Sequence, residues 1–240
     1  MKPQINVLSI TEKPQRAIYL AMHQDYSPGY VWEDVLRGSV PDEVQCGRIV
    51  VDRLLKGDRG HYGCLEHPQI VLACGGFDHN TMVQLRTHRL MSFDVQSFRY
   101  TSQQFIEVAE EKRDVETVFY IRPPGYYTNR GGKKYEWTTE DVANERVWCL
   151  KACLNYKQKI DRGISEEHAR HGIPTCVRQH FVLSCNMRQL MHLLDLRWKA
   201  DAQLEAQTFS QLLYDIFLDW SPAIAEWYMG NRAKKARLAP

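Results

Sequence analysis

Most of the short signatures that reveal a function are missing from this chain. No Gly-x-Gly-x-x-Gly turn and no Gly-x-x-x-x-Gly-Lys-Ser/Thr loop occurs, so neither common glycine-rich phosphate cradle is present. No Gly-x-Ser-x-Gly elbow points to a serine hydrolase. The seven cysteines (46, 64, 74, 149, 153, 176 and 185) are odd in number and contain no Cys-x-x-Cys pair, which argues against a disulfide framework. Small buried hydrophobes in a reducing compartment are their default role. An excess of one charge is also lacking: 31 Lys and Arg against 29 Asp and Glu leave +2, not the basic footprint of a general nucleic-acid binder. Any anion site must therefore be local. The longest nearly apolar run, Ile70 to Phe77, falls far below the ~20 residues of a membrane span. The N-terminal MKPQINVLSI has no apolar signal-peptide region, so a cytoplasmic protein is expected. No repeat, low-complexity tract or linker composition breaks the 240 residues, which read as one domain, residues 1–240, with a mobile basic tail over 230–240.

What is present reads as α+β, helix-rich around a modest mixed or antiparallel sheet. Val7 to Ile10 suggests a short strand, and Pro14 opens a helix that gives way to an aromatic loop, DYSPGYVWED. A second helix is expected from Pro41 to Leu55 with Val44, Ile49, Val50, Leu54 and Leu55 apolar, ended by Gly57, Gly60 and Gly63. HPQIVLACGG has the β-branched, glycine-closed look of a buried strand. Asp78 to Leu90 reads as a helix with Met82, Leu85 and His88 or Arg89 at turn spacing, and Val118 to Ile121 as a strand. RPPGYYTNRGGKKYEW suggests a loop or hairpin. Thr139 opens a long helix with Val142, Val147, Leu150, Leu154 and Ile160 along its apolar face, ending at Gly163. Ser165 caps a short helix stopped by Gly172 and Pro174, and Asn186 to Asp219 is helical almost throughout, with Leu190, Leu193, Leu194 and Leu204 on the core face.

The stretch QLRTHRLMSFDVQSFRY, Gln84 to Tyr100, carries the strongest chemical signal. It sets Arg86, His88, Arg89 and Arg99 among Gln84, Thr87, Ser92, Gln96 and Ser97, with Asp94 as its only acid. Arginine forks meet phosphate oxygens two at a time, and the amides and hydroxyls beside them can read polar edges. A basic cluster without acidic partners is waiting for an external anion, such as a nucleotide monophosphate or flavin nucleotide. A second cluster reinforces it: Arg170, then Asn186, Arg188, His192 and Arg197, with Arg188 and His192 four apart on one helical face. His168 and His171 lie three apart, but with no His-Glu-x-x-His motif or nearby cysteine pair they read as solvated or capping residues, and no metal is expected.

These residues resemble the flavin-dependent thymidylate synthases, whose signature runs Arg-His-Arg, seven residues, then Ser-x-Arg. Here Thr87-His88-Arg89 is followed by Leu90 to Gln96 and then Ser97-Phe98-Arg99, with Gln84 and Ser92 also matching. A second block matches independently: Ala169-Arg170, Ile173-Pro174, Asn186-x-Arg188, Leu190, Arg197 and Ala202-Gln203-x-Glu205. With weaker similarity around His61 and Glu66, the likeness spans roughly residues 60 to 207. Four positions depart from the pattern. Thr87 replaces the first Arg, Val95 an acid, His192 an Asn and Asp201 a His. The resemblance implies a flavin-dependent thymidylate synthase-like fold, with Thr87, His88, Arg89, Asn186, Arg188 and His192 toward FAD. It also implies Gln84, Thr87, Gln96, Ser97, Arg99, Arg170 and Arg197 toward deoxyuridine monophosphate (dUMP). Arg197 would be the catalytic residue, stabilising the uracil ring as it ionises. Methylenetetrahydrofolate and NADPH would be co-substrates and the protein a homotetramer. Two rival readings remain at this stage: an RNA- or single-strand-binding module using the Arg cluster, Tyr126, Tyr127 and the basic tail, and a flavin enzyme moving a different one-carbon group to a pyrimidine nucleotide.

Overall fold

The computed structural model describes residues 2–57, 61–129 and 131–235. Gly60 of the expected glycine cluster and residues 236–240 of the basic tail lie outside them. The chain is α+β, as the sequence suggests. In order, it runs β1 (Gln4–Ile10), α1 (Pro14–Tyr26), α2 (Val31–Leu36) and α3 (Glu43–Val50), then a π-helical turn (Val51–Leu55) and a 3-10 turn (Tyr62–Glu66). There follow β2 (Gln69–Asp78), α4 (His79–Arg86), β3 (Ser92–Val95), α5 (Gln103–Ala109), α6 (Val115–Val118) and the strands β4 (Gly125–Thr128) and β5 (Lys134–Trp137). The rest is α7 (Thr139–Asp161), α8 (Glu166–Ala169), β6 (Arg178–Asn186), α9 (Met187–Arg197), α10 (Leu204–Trp220) and α11 (Pro222–Asn231). Four strands form a small antiparallel sheet in the order β1-β2-β6-β3, and β4 pairs with β5 as a hairpin.

The chain divides into two compact units, each assembled from separate stretches. The first comprises Met1–Gln4, Cys74–Gln84 and Asp94–Phe181. Its core is Phe105, Val108, Val118, Phe119, Cys149, Cys153, Tyr156 and Val177, with the Phe105 ring edge-on to Tyr156 at 5.3 Å. The helix α7 supplies much of it. Thr138 and Asp141 cap its start reciprocally, and Gly163, at φ 79°, closes its end while Ile164 N–H reaches back to the Lys159 carbonyl. The buried face of α7 is Cys149, Ala152, Cys153 and Tyr156, and of the branched residues expected Leu150 and Ile160 pack partly buried against the same core. Val147 and Leu154 stay exposed, because the true stripe at helical spacing is made of small and aromatic side chains.

The second unit comprises Ile5–Ala73, Leu85–Phe93 and Val182–Pro240. Here α1 packs on α3, α11 on α3, and α9 on α10. Ile18, Cys46, Val50, Leu54, Leu190, Leu194, Phe209, Leu213 and Phe217 fill the interior, whereas Val44 and Leu204 of the expected faces are exposed. Buried Gln15 ties three helices: its Nε2 donates to the Glu43 carbonyl at 3.1 Å, and its Oε1 accepts from Ala223 N–H at 3.1 Å. Gly47 lies against that amide, where any Cβ would collide with it.

Several expectations need correcting. Val118 to Ile121 forms no strand. The Asp114 carboxylate accepts from Glu116 N–H at 2.7 Å and caps α6 instead, leaving Phe119 a single bridge to Val177. Pro123 and Pro124 follow and lack the N–H groups a ladder needs. Part of the aromatic loop is helical as α2, and Gly63 sits inside the 3-10 turn. The helix begun at Asp78 stops at Arg86, and Asn186 to Asp219 is broken after Arg197. The sequence reading also missed β3, β6, α5 and α11.

Candidate active site

Within the second unit, the turn after α4 and the first turns of α9 enclose a cavity of about 420 Å³. Glu66, Thr87, His88, Arg89, Arg188 and His192 line it. Ending α4 at Arg86 is what frees Thr87, His88 and Arg89 from a helical register. His88 N–H then bonds the Leu85 carbonyl, and Met91 N–H bonds the His88 carbonyl. Asn186 starts α9 with a reciprocal cap: its side chain accepts from Gln189 N–H at 2.9 Å, and Gln189 Oε1 accepts from Asn186 N–H at 3.2 Å. Asn186 therefore spends its side-chain oxygen on the helix and positions Arg188 and His192 one and two turns in.

His88 is the electrostatic centre. It is 6% exposed, and its ring packs edge-on to His192 at 5.3 Å. Arg197 Nε donates to His88 Nε2 at 3.2 Å, and Arg197 Nη2 donates to Thr87 Oγ1 at 2.7 Å. Because Nε2 accepts, the ring proton sits on Nδ1, which is buried with no hydrogen-bond partner. A buried donor left unmade is costly. Burial first, then the charges of Arg197 and His192, lowers the His88 pKa to about 4. The unfolded histidine titrates near 6.5, so between pH 6.5 and 4 the unfolded chain binds the extra proton. Stability is then fully present above pH 6.5 and falls as pH drops through the window, by up to ~3 kcal/mol. Urea unfolding at stepped pH should show this fall in the native protein and not in His88→Asn.

The sequence reading expected basic residues with hardly an acidic partner, and the fold corrects that for two of them. Arg188 Nη1 pairs with Glu66 Oε1 at 2.7 Å, and Arg99 Nε with Glu167 Oε1 at 2.8 Å. Both pairs are partly exposed and each is worth no more than ~1 kcal/mol, so either opens readily to a stronger anion. Arg197 is half-buried, and desolvation lowers its pKa from the usual guanidinium value without discharging it.

The first unit holds the other expected residues. Gln84 is half-buried on α4. Gln96 N–H bonds the His180 carbonyl at 2.9 Å, and its side-chain oxygen accepts from His180 N–H at 3.3 Å. Ser97 starts a turn, its carbonyl accepting from Tyr100 and Thr101 N–H and its Oγ from Arg99 N–H. Arg170 begins the 3-10 turn after α8, three residues beyond the Glu167 that holds Arg99. Ser97, Arg99 and Arg170 therefore belong to neighbouring segments of one unit. The rings of His168 and His171 meet edge-on at 5.8 Å. Among the described residues, one group of side chains lies close enough to share an ion: Glu145, Cys149 and Cys176, the two sulfurs 3.6 Å apart. Sequence reasoning missed this group and also Glu66 and Glu167 as partners. Their signal is tertiary, since Glu66 and Arg188 are 122 residues apart.

The model of the family described as "Thymidylate synthase complementing protein" matches residues 6–223. This chain is a member of the flavin-dependent thymidylate synthase family. The enzyme of that name from Haloarcula marismortui is 32% identical, covering 98% of this chain and 99% of its own length. That from Halobacterium salinarum is 30% identical over 99% of this chain and 100% of its own. A UMP/dUMP methylase from Streptomyces cacaoi, crystallised with 5-Br dUMP, aligns with a TM-score of 0.72 at 19% identity over 100% of this chain and 98% of that one. A flavin-dependent thymidylate synthase family structure from Helicobacter pylori, crystallised with FAD and dUMP, gives 0.62 at 20% identity over 89% and 92%. At such identities these two structures support the fold alone.

Proposed function

We propose that the chain makes thymidylate from deoxyuridylate, with FAD held in the cavity around His88 and dUMP held by Gln84, Gln96, Ser97, Arg99, Arg170 and Arg197. The observation that carries the reading is the Arg197–His88–Thr87 cluster. A fixed guanidinium donates to a neutral histidine whose buried Nδ1–H lacks an acceptor. Those groups fit a flavin nucleotide. His88 offers a desolvated donor, Arg89 and Arg188 offer cations for phosphate oxygens, and His192 with Thr87 supplies polar edges. When bound, the flavin supplies the hydride chemistry.

The chain's own residues do the rest. Methylating uracil at C5 needs an electron-rich ring, and the Arg197 charge stabilises negative charge as it develops on the carbonyl edge. Two hydrogen bonds fix the plane of that guanidinium before substrate arrives, so little reorganisation is left for the reaction. Arg197 cannot act as a general base at neutral pH. Ser97 is a binding group: its Oγ accepts from the Arg99 amide and no base stands beside it in sequence.

Methylenetetrahydrofolate as one-carbon donor and NADPH as reductant complete the reaction. A homotetramer is supported by the side of α7 that carries exposed Val147, Trp148 and Leu154, an apolar face for a second copy. Seven free cysteines suit a reducing cytoplasm. The family match runs through both compact units, which supports one folding domain over 1–240.

Purified protein should be yellow, with flavin absorbance that survives gel filtration. Given dUMP, methylenetetrahydrofolate and NADPH, it should yield dTMP by mass. Colourless protein that FAD cannot reconstitute sinks the flavin enzyme, and a different product mass from dUMP shows a different group being transferred.

A further inference from the structure

The thymidylate reading leaves one cluster of the first unit unused. Glu145 and Cys149 stand four apart on α7 and therefore share a face of that helix. Cys176, in the segment that leads into β6, comes up against them. A carboxylate oxygen and the two sulfurs all lie within 4.8 Å of one another, and the sulfurs are 3.6 Å apart. Cys149 is fully buried, whereas Glu145 and Cys176 are half-buried.

This spacing suits a shared metal ion. Two thiolates on one tetrahedral zinc, each ~2.3 Å from the ion, stand ~3.8 Å apart. A disulfide needs ~2.05 Å, so the sulfurs would have to close by about 1.5 Å, and the carboxylate would have no part in it. Simple packing of two thiols in a core would not call for a carboxylate either. Its neighbour in sequence, Arg146, pairs with Glu116 at 2.9 Å and not with Glu145. A carboxylate beside two thiols opposes their ionisation, and a divalent cation reverses that balance by binding all three as anions.

The frame around the cluster is already set. The Cys176 carbonyl accepts from Tyr120 N–H at 2.8 Å, the Val177 carbonyl from His79 N–H at 2.9 Å, and Thr175 Oγ1 from Asn80 Nδ2 at 3.2 Å. Backbone on both sides of Cys176 is thus held without the ion, and the helix holds Glu145 and Cys149. Two soft sulfurs with one oxygen favour zinc or a similar transition metal over magnesium or calcium, which take oxygen ligands.

We propose that Glu145, Cys149 and Cys176 bind one zinc-class divalent cation, which clamps α7 to the segment entering β6. On binding, each thiol releases its proton to solvent and each sulfur gives a lone pair to the metal, with no change in oxidation state. Water takes the fourth position on the half-exposed Glu145 side.

Reduced native protein, stripped with a chelator, is titrated with Zn2+ by calorimetry beside Cys176→Ser and Glu145→Gln. X-ray absorption at the zinc edge, with one equivalent bound, reads the ligands: two sulfurs at ~2.3 Å and oxygen at ~2.0–2.2 Å are expected. Cys176→Ser should weaken the tight site at least about 100-fold, the upper end of what a residue merely supporting a ligand costs. Glu145→Gln should weaken it about tenfold or more, since a neutral amide replaces an anionic ligand. Glu145 is half-exposed, so that variant keeps the test open if Cys176→Ser fails to fold. Zinc should also raise the urea midpoint of native protein and not that of Cys176→Ser.

The proposal is overturned if native protein binds no zinc, or if the variants bind it as tightly as native protein. A shell of nitrogens without sulfur would place the ion on some of the nine histidines and overturn it equally. No readout uses turnover, so the clamp stands or falls apart from the thymidylate reading.

Discussion

Arg197→Ala is expected to lower dTMP formation by at least about 10²- to 10³-fold while the protein remains yellow. The size follows from removing one preorganised charged donor from a partly desolvated site. Retention of flavin follows because His88, Arg89 and Arg188 still line the cavity. The substitution also removes the bonds that Arg197 donates to His88 Nε2 and Thr87 Oγ1. His88 loses a neighbouring positive charge, so its pKa rises from about 4 and any pH dependence of flavin retention moves upward. Arg197→Lys should recover little, since an ammonium cannot hold both acceptors with one planar fork. Steady-state kinetics, with flavin measured by absorbance in each variant, checks this. Complete loss of flavin from Arg197→Ala would mean that Arg197 serves the cofactor and not the nucleotide.

The largest effect on stability is expected at Arg232. Its Nη2 bonds the carboxylate of Asp195, whose side chain is 1% exposed against 11% for Arg232. Asp195 sits on α9 between His192 and Arg197, so this pair fastens the site helix to the end of α11. Arg232→Ala leaves a buried, uncompensated carboxylate and should cost about 3–5 kcal/mol in urea unfolding. The pair itself need not be stabilising relative to apolar residues. A double variant, Asp195→Leu with Arg232→Met, should therefore recover most of the loss. If Arg232→Ala unfolds at the native urea concentration, the pair is not a clamp.

Much of the site was readable because its residues are chemically conspicuous. Three arginines and a histidine within Gln84 to Tyr100, and a second basic block four-apart on a helix, need no tertiary information to be noticed. The start of α7 at Thr139 and its glycine stop at Gly163 are equally local, and both formed as read, whereas the cap at Asn186 was not read in advance. Other elements were not local. The strand β6 alternates too weakly to separate from its helical neighbours, and β3 is four residues long. The face of α7 was read in part: Leu150 and Ile160 pack on the core, but Cys149, Cys153 and Tyr156 fill it while Val147 and Leu154 stay exposed.

Sequence alone determined the family, the residue types of the site and both ends of α7, because side-chain chemistry and capping act over a few residues. Tertiary structure decided which charges are paired, which histidine is neutral and which guanidinium is fixed. Glu66 reaches Arg188 across 122 positions and Arg197 reaches His88 across 109. Burial and Coulomb energy depend on distance in space, and no spacing along the chain encodes it.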